Sequence, residues 1–147
     1  MPTNITFTNI DIKFTLLHKK ELRSWLNLCA RHEGKFLEEI AYNFCSDDFL
    51  LKMNKQYLNK DYYTDVITFD YCEELRKHKL RGDIFISIER VKENAMEYGV
   101  SMQVELLRVM AHGILHLCGY TDKSKKTVAQ MSRAENRCLR RFYRKPL

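Results

Sequence analysis

No run of apolar residues in this 147-residue chain approaches the roughly 20 that a membrane-spanning helix needs. Its opening stretch, MPTNITFTNIDIKF, also lacks the charged leader and apolar block of a secretory signal. No membrane role is expected, and the cytoplasm is the expected location. Five cysteines, at positions 29, 45, 72, 118 and 138, form an odd set without a CxxC pair. That argues against a disulfide framework and predicts reduced thiols in the core. No internal repeat, low-complexity tract or linker divides the chain, so residues 1–147 are expected to form one domain. Also missing is an aromatic-interleaved RNA-recognition signature, so no reading of base sequence is indicated.

The residues that are present describe an ordinary globular protein. Apolar residues make up 45% of the chain and charged residues 30%, enough for a real core. A net charge of +6 favours encounter with a polyanion. Alternation predicts a strand over 5–14, with a slip of phase near Asn9. Leu22, Trp25, Leu26 and Cys29 recur at helical spacing, and Gly34 supplies the residue that stops that helix. Ile40, Tyr42 and Phe44 predict a second strand. Ser46 reads as the N-cap of a short helix through Leu50, Met53 and Tyr57, with Asp47 and Asp48 in its first turn. Strands over 66–69 and 82–87 follow, joined by a charged connection, and then helices over about 88–98, 102–118 and 125–143. The expected fold is α+β: a mixed sheet of about four strands packed with five or six helices.

The densest chemistry lies in His112-Gly-Ile-Leu-His116-Leu-Cys-Gly119-Tyr-Thr-Asp122. Imidazoles four residues apart share one helix face, with Cβ atoms about 5–6 Å apart. Taken alone, the pair fits either two core histidines on an apolar helix or two ligands of one ion. Gly119 then ends the helix, and Asp122 follows closely enough to fold back as a third ligand. Three protein ligands with one position open describe a catalytic metal site better than a structural one. Cys118 faces away from His116 and is not expected to ligate. In His-Glu-x-x-His peptidases the residue after the first histidine is the general base, and here it is Gly113. Proteolysis is therefore not indicated. No side chain is singled out as catalytic, and a metal-bound water is the expected nucleophile.

The same residues resemble the signature of the YbeY family of rRNA-maturation endoribonucleases, His-Gly-x-Leu-His-Leu-x-Gly-Tyr-Asp-His. The match covers His112, Gly113, Leu115, His116, Leu117, Gly119 and Tyr120. Two further blocks agree in order: Thr64-Asp65-Val66-Ile67-Thr68-Phe69 and Gly82-Asp83-Ile84-Phe85-Ile86-Ser87. The resemblance implies one Zn²⁺ per chain, held by His112, His116 and the residue at position 122, and a substrate of single-stranded rRNA. The family has histidine at that third position and this chain has Asp122. Its charge leaves the ion at formal +1, so a bound water is expected to be less acidified than in a three-histidine site, and harder divalent ions gain slightly. The family arginine before Thr-Asp-Val falls on Leu58, which cannot grip a phosphate in a bidentate way. Lys55 or Lys60 could substitute as a point charge. Thr64, Asp65 and Asp83 read as strand-entry residues at least as well as site residues.

Positive charge gathers at Lys123, Lys125 and Lys126, and again at Arg137, Arg140, Arg141, Arg144 and Lys145. The second group fits a solvated helix face or an RNA-binding one. Lys55, Lys60 and Arg81 flank the matching blocks and are the expected RNA contacts, acting through phosphates rather than bases. Three functions follow in order of support. The first, implied by the family resemblance, is a metal-dependent endoribonuclease in 16S rRNA 3′-end maturation and ribosome quality control, with rRNA or ribosomal particles as partners and no DNA expected. The second is a non-catalytic ribosome-assembly factor whose zinc is mainly structural. The third, an iron oxygenase built on two histidines and a carboxylate, has nothing else to recommend it.

Overall fold

β-Branched and aromatic residues build the centre of the protein, and serine caps set where four of its five α-helices begin. The structure, a computed structural model, describes residues 4–144. Strand β1 (Ile5–Asn9) is followed by α1 (Lys19–His32), β2 (Phe36–Cys45), α2 (Asp47–Leu58) and β3 (Val66–Asp70). A 3₁₀ turn at Glu74–Arg76 leads into β4 (Lys79–Ser87), α3 (Ile88–Tyr98), α4 (Met102–Leu117) and α5 (Lys125–Tyr143). The sheet order is β1-β2-β4-β3, parallel except for the antiparallel edge strand β3. This is the expected α+β domain with a four-stranded mixed sheet and five helices. Lys145 lies outside the described residues, as do positions 1–3 of the expected domain.

Two boundaries differ from expectation. The first strand ends at Asn9 rather than running to residue 14, because side chains take over its edge. The Asn9 amide donates to the Phe14 carbonyl at 2.7 Å, and Asp11 accepts from the Ser46 backbone and hydroxyl at 2.8 and 2.6 Å. The chain is thereby turned off the sheet to brace the start of α2. In the other case β4 starts at Lys79, three residues before Gly82, pairing with β2 from Phe36 onward. The side chains of Lys79 and Arg81 are half-exposed, so their charge costs the strand little.

Gly34, at φ 74°, terminates α1 as expected. Ser46 caps α2 by accepting from the Phe49 N–H at 3.1 Å. One sheet face packs Ile84, Ile86, Tyr42 and Ile40 against α1, α4 and α5 in the main core. On the other face Ile67 and Cys45 meet Leu50 of α2 in a smaller cluster. The central helix α4 is fixed by the buried Tyr42 hydroxyl, which donates to the Met110 carbonyl at 2.7 Å. Cys29, Cys45 and Cys138 are buried, whereas Cys72 and Cys118 are only half-buried, since they sit where a strand and a helix end. All five are free thiols. Among the described residues, no helix is long and apolar enough to cross a membrane.

Candidate metal centre

His112 and His116 sit on the outward face of α4, close to its C-terminal end. They line a cleft of about 540 Å³ with Asp122, Lys123, Leu58, Lys60, Tyr62, Thr64 and the β3 residues Val66, Ile67 and Thr68. The cleft thus lies between α4, strand β3 and the loop that leaves α2. Three local features deliver Asp122 to it. Gly119 adopts φ 112°, a conformation L side chains rarely take, and reverses the chain after α4. Tyr120 then anchors the loop, its hydroxyl donating to Glu33 at 2.9 Å and accepting from Arg137 at 3.1 Å. Finally Ser124 caps α5 reciprocally with Thr127. Between these anchors the Asp122 carboxylate stands 3.7 Å from His112 Nε2.

That spacing bears on what the group can hold. Ligand atoms about 2.0–2.1 Å from a tetrahedral zinc stand roughly 3.3 Å from one another. The His112–Asp122 separation is close to this, although among the described residues no three His, Cys, Asp or Glu side chains are closed into a ligand set. Asp122 is about half exposed, with room to swing. The donor chemistry fits a divalent ion in two further respects. His112 Nδ1 bonds Glu135 at 2.7 Å, which leaves Nε2 facing the cleft. Partial desolvation, and then the neighbouring His112, lower the His116 pKa, so its ring is neutral with a lone pair to offer.

Glu135 is absent from the sequence-based set, and it is the strongest addition the structure makes. It is 7% exposed, on the buried side of α5. Arg108 donates to its other oxygen at 3.1 Å and to Asn136 at 2.9 Å. Burial pushes the His112 pKa down, but the hydrogen bond and charge of Glu135, helped by Asp65 and Asp122, raise it overall. A signal for Glu135 does exist: it interrupts the apolar stripe Met131, Ala134, Cys138, Leu139, Phe142 of α5.

The other expected site residues separate. Lys60 lines the cleft, and Lys55 instead pairs with Asp61 at 3.3 Å. Arg81 stands among Glu38, Glu39 and Glu73 at 4.0, 3.5 and 3.9 Å. Thr64 lines the cleft; Asp65 turns its carbonyl to the Ser87 N–H at 3.0 Å and its carboxylate to Asn94 at 3.5 Å. Asp83 accepts from the Tyr71 hydroxyl at 3.3 Å. Gly113 is buried against β4, where an added Cβ would meet Ile84 side-chain atoms at 2.8–3.2 Å. A side chain at position 113 would therefore point into the sheet and not at the cleft.

The sequence model described as Endoribonuclease YbeY matches residues 4–143. A protein of that name from Bacteroides thetaiotaomicron is 46% identical over 135 residues, covering 92% of this chain and 96% of its own. One from Cytophaga hutchinsonii is 47% identical, covering 92% and 93%. The solution structure of TM1509 from Thermotoga maritima superposes with a TM-score of 0.61 at 27% identity, over 95% of this chain and 89% of that one. With its histidine pair, its cleft and its sheet all on the matched stretch, the chain belongs to the YbeY endoribonuclease family.

Proposed function

We propose that this protein is a metal-dependent endoribonuclease that cuts single-stranded RNA, with a precursor of 16S rRNA as substrate and the cytoplasm as its place of work. Family membership supports RNA cleavage. The observation that carries the reading to particular residues is the joint lining of one cleft by His112, His116, Asp122 and Lys60. In this reading His112, His116 and Asp122 hold one Zn²⁺. A bound zinc supplies Lewis acidity toward a phosphoryl oxygen and acidifies water. The chain does the rest. Glu135 keeps the proton of His112 on Nδ1, so that Nε2 faces the ion. Lys60 and Lys123 bring positive charge to the cleft and draw in the phosphate backbone.

The test is cleavage of an rRNA 3′ precursor by metal-loaded protein beside a His116→Ala variant shown by circular dichroism to be folded. Loss of cleavage in the variant is expected. Equal cleavage by both would assign the activity to a contaminating nuclease. A second reading, an RNA-binding ribosome-assembly factor with a mainly structural zinc, is favoured by one observation. Leu58 lines the cleft where the family arginine is expected, and it offers no charge to a phosphate. Binding of ribosomal particles without cleavage, by protein that unfolds when zinc is removed, would favour that reading.

A further inference from the structure

Asn54 is only 1% exposed, unusual for an amide unless its polar atoms are satisfied. Its side-chain amide donates to the Tyr62 carbonyl at 2.9 Å, and its backbone carbonyl accepts from the Lys60 backbone N–H at 3.0 Å. Asn59, at φ 54°, turns the chain just before them. One buried residue of α2 thus fixes the positions of both Lys60 and Tyr62. Both line the cleft that holds the two histidines. The Tyr62 residue is 54% exposed, and the Lys60 ammonium stands 5.9 Å from its ring centroid. At that distance the cation is at the outer limit of a ring contact and remains free to swing to an anion.

We propose that the Asn54-anchored loop over 59–64 is a nucleotide-binding wall, in which the Tyr62 ring stacks on an unpaired base and Lys60 takes the adjoining phosphate. The inference rests on the RNA-cleaving reading and specifies how that site holds its substrate. Leu58 brings no charge to the cleft, and Lys60 is the cleft lysine tied to the aromatic ring. Every base has a π-face, so stacking on tyrosine tolerates any sequence. A base already stacked and paired in a duplex cannot reach the ring, so this wall selects single strands. Asn54 is a positioning residue, and Tyr62 and Lys60 touch the substrate.

Fluorescence anisotropy of full-length protein tests this with two labelled ten-nucleotide 2′-O-methyl RNAs, one bearing bases and one abasic. Tyr62→Ala is expected to weaken binding of the base-bearing strand about tenfold and leave abasic binding unchanged. Tyr62→Phe, which keeps the ring, should bind like the wild type. Lys60→Met should weaken both strands and lower the slope of log K against log salt by about 0.7, the loss of one single-strand phosphate contact. Equal binding by Tyr62→Ala and wild type, or equal loss on both strands, overturns the stacking role. If that occurs while the wild type still cleaves single-stranded RNA, only this inference falls. A wild type that neither binds nor cleaves brings down the proposed function as well.

Discussion

Glu135 lies one turn beyond Met131 on the buried side of α5, where an unpaired carboxylate would cost several kcal/mol. Its contacts with His112 and Arg108, at 2.7 and 3.1 Å, remove most of that cost and aim the imidazole. Loss of such an outer partner weakens metal affinity by about 10–100-fold. Competition against a chromophoric chelator should show that loss for Glu135→Ala, with Glu135→Gln in between. In metal-free protein, ¹H–¹⁵N spectra should place the His112 proton on Nδ1 in the wild type and release it in Glu135→Ala. Unchanged affinity and tautomer would reduce Glu135 to a packing residue. Asp122 carries a second prediction. Because its charge halves the formal charge left on the ion, Asp122→His should shift the cleavage pH profile to lower pH; a shift upward or none would refute the charge argument. A third concerns Glu105, whose carboxyl is raised above its ordinary 4.5 by burial and then by Asp65. A raised folded pKa means stability that is full below pH 4.5 and declines as pH rises through the raised value. The urea midpoint of Glu105→Gln should therefore climb relative to wild type between about pH 4 and pH 7, and a constant difference would contradict it.

Two glycines set how closely α4 and β3 approach strand β4. A Cβ at Gly82 would stand 2.6 Å from the Phe69 carbonyl oxygen, part of a paired backbone that cannot give way cheaply. At Gly113 the obstacle is the Ile84 side chain, which can move, and alanine recovers about 1 kcal/mol of helix propensity. Gly82→Ala should lose about 1–3 kcal/mol and Gly113→Ala clearly less, compared by urea denaturation. The reverse order would mean that the α4 contact, and not the strand pairing, is the tighter one. The same elements show what the sequence makes readable. Helix α1 is legible because Leu22, Trp25, Leu26 and Cys29 recur at helical spacing before Gly34, and α2 because Ser46 precedes Leu50, Met53 and Tyr57 on one face. The His112–His116 pair is legible because helical geometry fixes neighbours four residues apart. The end of β1 depends on Asp11 meeting Ser46, 35 residues away, and the start of β4 depends on Phe36 as a partner. Glu135 meets His112 across 23 residues, Asn54 reaches the Tyr62 carbonyl, and Arg81 finds three carboxylates. No local pattern encodes pairings of that kind, so they emerge only once the sheet and helices are assembled.

At the scale of the whole molecule, the core and the candidate metal centre are separate structures. The main core joins β1, β2, β4 and all the long helices except α2 through residues such as Ile5, Leu26, Ile84, Met110 and Phe142. His116 and Asp122 are exposed, and none of the three candidate ligands belongs to that cluster. Structural zinc sites stand in for a missing core and contribute of order 10–16 kcal/mol to folding. A chain with this core does not depend on such a contribution, so chelator-treated protein should keep its helical circular dichroism and a cooperative thermal transition. Zinc at 100 times its dissociation constant should then stabilise the native state by about 2.7 kcal/mol. For a domain of this size that raises Tm by roughly 5–10 °C. The shift should disappear in His112→Ala, which lacks a proposed ligand. It should persist in Tyr62→Ala, whose ring is not among the proposed ligands. Unfolding on metal removal would mean that zinc is part of the fold, and would turn the balance toward an assembly factor in which the cleft binds RNA without cutting it.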